Sequence, residues 1–177
     1  LIGNYTEIMP GRPTIAEHRN PPDDIRKPIN SFYQDVQTKL NVNIITAAEQ
    51  QTMNFYMNLG TYYHSETGRK LYSEIAMIED QHVSGYESLL DTECTWLENM
   101  VMHEYTECYL YYSCYMDETN PYLKSIWEKH YDDELHHLYM AVSLLEKYEG
   151  KSAAYVFPEQ NFPRLLKFAE NKKYIRE

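Results

Sequence analysis

Two short patterns in the sequence carry the chemistry. Glu79-Asp80-Gln81-His82 and Glu134-Leu135-His136-His137 each place a Glu three residues before a His. On a helix such residues are neighbours on one face, so each pair offers an oxygen and a nitrogen to one metal ion. Sliding the chain against itself by 55 residues superimposes the two patterns without gaps. The same shift carries Glu49 onto Glu104, Tyr56 onto Tyr111 and Ser65 onto Asn120. General identity between the halves is low, so what recurs is the set of chemically distinctive positions rather than a recent tandem copy.

A lone Glu-x-x-His is ordinarily a surface pair, and Glu49 alone would read as a solvated helix residue. The flanking residues argue otherwise. Ile75, Val83 and Tyr86 surround Glu79 and His82, Leu138 and Ala141 follow Glu134 and His137, and Ile45 and Met53 are the helical neighbours of Glu49. An ionised Glu turned toward a core costs several kcal/mol unless a cation or partner compensates. One Glu from each of two helices with Glu-x-x-His from each of two others is the ligand set of a carboxylate-bridged dimetal centre in a helical bundle. Glu107 breaks the repeat, because Thr52 stands at its counterpart. It lies one turn after Glu104, where a further carboxylate lets a metal exchange ligands as its oxidation state changes. Tyr56 and Tyr111, each seven residues after their Glu, read either as hydrogen-bond donors to the carboxylates or as aromatic filling. His130 is an outer group or simply exposed, and His18, His64, His103 and His136 have no comparable spacing. With 18 Tyr in the chain, none stands out as redox-active.

These side chains need helices to hold them. From Asn30 to Gly150 only Pro121 interrupts, and the spacing predicts four helices over roughly 31–64, 68–91, 94–117 and 121–149. Ser65 and Asn120-Pro121 are start signals, and Gly150 is a stop. A shorter helix is expected after Asn161-Phe162-Pro163. Four amphipathic helices of this length mean an all-α four-helix bundle, spanning 31–150. Pro10, Pro13, Pro21, Pro22 and Pro28 make residues 1–30 an extended arm, and 151–177 form a C-terminal extension.

The 177 residues carry 27 acids against 16 Lys plus Arg, a net charge of −11. All of the imbalance lies in residues 31–160, which hold 21 of the acids and 7 of the bases. Such a chain repels phosphate backbones, which excludes nucleic acid as the main partner. No apolar stretch is long enough to span a bilayer, and no secretory signal opens the sequence. Cys94, Cys108 and Cys114 form no CxxC pair, so a reducing cytoplasm is expected.

The chain resembles the rubrerythrin branch of the ferritin-like superfamily over roughly residues 40–149. The likeness rests on Ser73-Glu74-Ile75-Ala76 leading into Glu79-x-x-His82, on Glu104-Tyr105-Thr106-Glu107-Cys108-Tyr109, on Glu134-x-x-His137, and on Tyr56 seven after Glu49. It implies a ferritin-like bundle with two iron ions held by Glu49, Glu79, His82, Glu104, Glu107, Glu134 and His137. It also implies reduction of hydrogen peroxide, with Glu107, Tyr56 and Tyr111 closest to the chemistry. Manganese is the alternative metal, since oxygen-rich ligand sets suit it as well.

Two departures shape the expectation. Three scattered cysteines cannot build the rubredoxin module common in that family, so electrons would come from a separate redox protein. The family's second and third helices run parallel through a long crossover, whereas only 22 residues separate His82 from Glu104. A homodimer that exchanges helix pairs resolves the shortage. The competing functions are iron oxidation for storage, a dimanganese catalase-type centre, and a non-enzymatic helical interaction protein.

Overall fold

The computed structural model describes residues 28–30, 33–91, 93–159 and 161–169. The expected Pro-rich arm, apart from 28–30, and the last eight residues lie outside them. Among these residues four α-helices follow one another: α1 Val36–Gly60, α2 Glu66–Glu87, α3 Trp96–Asp117 and α4 Pro121–Glu149. A single 3-10 turn, Ala153–Tyr155, comes after them, and no strand occurs among the described residues. The fold is therefore all-α. Its described residues divide into two compact units, one of residues 28–30 and 38–91, the other of residues 33–37 and those from 93 onward.

Local chemistry sets each boundary. The Ser65 side chain accepts a hydrogen bond from the Gly68 backbone N–H at the start of α2. That helix stops at Glu87, short of the expected 91, because Leu89 N donates to Tyr86 O and Leu90 N to Glu87 O in closing turns. A capping box opens α3, with the Thr95 side chain on the Glu98 N–H and the Glu98 carboxylate on the Thr95 N–H. Asn120 Oδ1 accepts from the N–H groups of Tyr122 and Leu123, ahead of Pro121. Gly150 ends α4 at φ +66°, the left-handed conformation only glycine adopts freely.

In the first unit, α1 and α2 run antiparallel, with Glu49 reaching His82 and Tyr56 packed on Tyr72, and Leu40, Met53 and Val83 are fully buried. Gly60 permits the approach at the closed end: a Cβ there would lie 3.3 Å from the Cβ of Tyr72. In the second unit, α3 and α4 form the matching hairpin around Val101, Cys108, Tyr109, Ala141 and Leu145. Its open end is clasped by Lys151, whose ammonium donates to Glu98 and to Glu149, while the Thr95 hydroxyl donates to Glu149.

The helix expected after Pro163 does not form in residues 161–169, which run as an extended strap along α3. The Tyr109 hydroxyl donates to Arg164 O at 2.7 Å, Leu166 N to Ser113 Oγ at 3.3 Å, and Phe168 N to Asp117 Oδ2 at 2.9 Å. Side chains of α3 thus engage the backbone groups that a helix would need for its own bonds. Phe157 and Phe162 anchor this segment on Tyr105, with ring centroids 4.3 and 5.2 Å away.

Candidate metal centre

Each hairpin gathers one cluster of ligating atoms. In the first, Glu49 comes from the middle of α1 and Glu79 and His82 from the second half of α2. Their donor atoms all lie within 4.8 Å of one another. His82 Nδ1 sits 3.0 Å from Glu79 Oε2 and 3.3 Å from Glu49 Oε2. In the second, Glu104 of α3 meets Glu134 and His137 of α4 within the same limit. Here His137 Nδ1 is 2.8 Å from Glu134 Oε2 and 3.8 Å from Glu104 Oε2. The Glu-x-x-His spacing and the Glu on the preceding helix therefore converge twice, as the 55-residue repeat requires.

Burial is graded toward the carboxylates. The side chains of Glu49 and Glu104 are 21 % and 14 % exposed, whereas the two imidazoles are about half exposed. Met53 and Val83 are sealed beside the first cluster and Ala141 beside the second, as their positions predict; Ile45, expected to join them, is 36 % exposed.

Electrostatics reports the same crowding. Glu49 holds its proton above the usual carboxylate range, first through desolvation and then through hydrogen bonding with Glu79. Glu104 is raised mainly by desolvation, with the Glu134 charge adding to it and His103 opposing. His137 is raised by its hydrogen bond and charge interaction with Glu134. In each cluster Nδ1 faces a carboxylate oxygen of its own helix at 2.8–3.0 Å, with the Glu of the preceding helix 3.3–3.8 Å away, so the three donors surround the place a cation would take. Two carboxylates and one imidazole within this reach suit a divalent first-row ion such as iron or manganese. They leave room for further ligands, since such ions take more than three.

Glu107 belongs to neither cluster; it is half-buried on α3, one turn beyond Glu104. Its charge is felt by Tyr111, whose phenol is raised first by desolvation, then by Glu107 and Glu134. Tyr56 packs edge-on against Tyr72, and Tyr111 stacks on His130 and Trp127. Tyr72 and Trp127 were not singled out by sequence reasoning, although they too are 55 residues apart, so the same shift would have found them. Cys108 is buried on α3, and burial pushes its thiol up to about 12. No described helix is long and apolar enough to cross a membrane.

No family model, no curated protein and no solved structure matches the chain.

Proposed function

We propose that the two clusters are the halves of one carboxylate-bridged dimetal centre of rubrerythrin type, which reduces hydrogen peroxide with electrons from a separate redox protein. The observation that carries this reading is the convergence, in both hairpins, of a Glu-x-x-His with a Glu from the preceding helix. Glu49, Glu79 and His82 would hold one ion, and Glu104, Glu134 and His137 the other. Glu107 is a further carboxylate within one turn. When bound, the metal pair supplies the electrons that cleave the O–O bond, so that one peroxide, two electrons and two protons yield two waters.

The chain's own contribution is to keep anionic ligands poised. Clustered carboxylates repel one another until a cation arrives, and the protons that Glu49, Glu104 and His137 hold above their usual ranges leave as it binds. Three donors per cluster are fewer than an iron or manganese ion takes, which favours closing one cluster against another in a four-helix bundle of ferritin-like topology.

Chain length favours closing it with a second copy. A parallel arrangement of α2 and α3 with the clusters level must descend the five residues from His82 to Glu87 and the eight from Trp96 to Glu104. At about 1.5 Å per residue, with a helix spacing of about 9 Å, that is a path of roughly 22 Å. Turn bonds hold the chain to Leu90, and the six steps from there to Trp96 span about 20–22 Å only when fully extended, which leaves such a crossover no slack. Exchange of hairpins between two chains removes the demand.

Elemental analysis of protein purified without added metal, followed by stopped-flow oxidation of the reduced form with peroxide, tests the function. About two irons per chain and oxidation by peroxide faster than by oxygen support it. Manganese with peroxide disproportionation points to a catalase-type centre, mineral growth with added Fe(II) to iron handling, and absence of metal sinks the reading.

A further inference from the structure

Behind each cluster, on the closed side of the hairpin, stands a pair of aromatic rings. Tyr56 lies seven residues after Glu49 and Tyr72 seven before Glu79; Tyr111 lies seven after Glu104 and Trp127 seven before Glu134. In an antiparallel hairpin this spacing brings both rings to the same end, two helical turns from the ligands on the face that carries them. The rings do meet. Tyr56 and Tyr72 are 5.3 Å apart between centroids, and Tyr111 and Trp127 are 6.2 Å apart.

Neither pair serves as core. All four side chains are half-buried, while the sealed residues of each hairpin are Leu40, Met53 and Val83 or Val101, Cys108 and Tyr109. At its inner end the second pair lies in the field of Glu107 and Glu134, which act on the Tyr111 phenol. At its outer end Trp127 lines a surface cavity of about 390 Å³ with Cys114, Asp117, Glu118, Thr119 and Phe168. In the first pair, Tyr72 accepts a 2.7 Å hydrogen bond from Tyr63, which is 40 % exposed. Gly68 keeps that extension in place, because a Cβ there would come within 2.9 Å of the Tyr63 ring.

We propose that Tyr111–Trp127 and Tyr56–Tyr72 are one-electron relays joining the Glu/His clusters to the surface. When Tyr111 is oxidised from the cluster side, its electron goes to the oxidant, ultimately peroxide, and its phenolic proton goes to water. The Trp127 indole then returns one electron to the phenoxyl, which takes up a proton. A one-electron donor docked at the surface refills the indole, and two such passages supply one peroxide. The purpose of the relay rests on the function proposed above, but its existence is testable without any metal.

The test uses metal-free protein carrying Trp96→Phe, so that Trp127 is the only indole. Flash-generated tris(bipyridyl)ruthenium(III) oxidises Trp127, and transient absorption follows conversion of the indole radical to a phenoxyl radical. Tyr111→Phe is expected to slow that conversion about tenfold or more. Tyr112→Phe, which alters a ring packed on Phe162 and Tyr131 instead, leaves it unchanged. A rate unaffected by Tyr111→Phe overturns the proposal. Should that variant not fold, Tyr72→Trp in a chain lacking both native indoles moves the assay to the first hairpin, where Tyr56→Phe must slow it likewise. Metal content has no bearing on either result, so failure of the relay and failure of the dimetal reading are separable.

Discussion

His137 Nδ1 lies 2.8 Å from Glu134 Oε2, and 55 residues earlier His82 Nδ1 lies 3.0 Å from Glu79 Oε2. The same atom of the same residue type faces the same carboxylate oxygen in both hairpins. Replacing either His by Ala should therefore cost one ion. Cobalt(II) titration of the metal-free protein should fall from about two ions per chain to about one in each single variant, and to none in the double variant. Full loading of the double variant would show that the imidazoles are not ligands.

The pH dependence of the metal-free protein follows from the shifted groups. Glu49 and Glu104 are raised above 4.5 and His137 above 6.5. Their folded forms hold protons more tightly than the unfolded chain, so the stability they contribute is complete below those values and is lost as pH rises through the raised ones. Glu149 runs the other way: Lys151 and Thr95 lower it from 4.5, so its contribution is present above 4.5 and lost as pH falls. The metal-free protein should thus melt at a higher temperature near pH 6 than near pH 8, measured by calorimetry. Saturating cobalt should reverse that order, because ligands must shed protons to bind it.

Two tyrosines four residues apart should respond oppositely to the same substitution. The Tyr109 hydroxyl holds Arg164 O, whereas the buried Tyr105 hydroxyl has no hydrogen-bond partner. Tyr109→Phe should cost about 1 kcal/mol in urea unfolding and expose residues 161–169 to protease. Tyr105→Phe removes a hydroxyl whose desolvation nothing repays, and should stabilise by about 1 kcal/mol.

Hairpin exchange depends on the short link between α2 and α3. Inserting about ten Gly/Ser residues after Leu90 adds some 17 Å of mean reach and frees each chain to close on itself. Light scattering should then report a shift from dimer to monomer with metal content retained. A wild-type protein that is already monomeric with two ions bound rules exchange out.

Much of this was legible because the informative signals are local. Ser65, Asn120-Pro121 and Gly150 marked helix ends that the backbone obeys, and periodicity placed Glu49, Glu79, His82, Glu104, Glu134 and His137 on converging faces. Signals that depend on competition between segments were not. Nothing in Leu166 or Phe168 announces that Ser113 and Asp117 will engage their N–H groups, so a helix was expected where a strap lies. The early end of α2 has the same origin, in turn bonds at Leu89 and Leu90 rather than in any breaker residue. Lys151 gave no sign of its bond to Glu98, 53 positions away.

The strap along α3 also works as a vernier. Its contacts advance two residues at a time, 164, 166 and 168, while those of the helix advance four, 109, 113 and 117. Two extended residues cover about 6.6 Å and four helical ones about 6.0 Å, so the two scales nearly coincide. The small excess accumulates with each step, which limits how many contacts can stay in register. Deleting one residue from 161–163 would put every graduation out by half a division, whereas deleting two would move the strap to the next mark and let it read again.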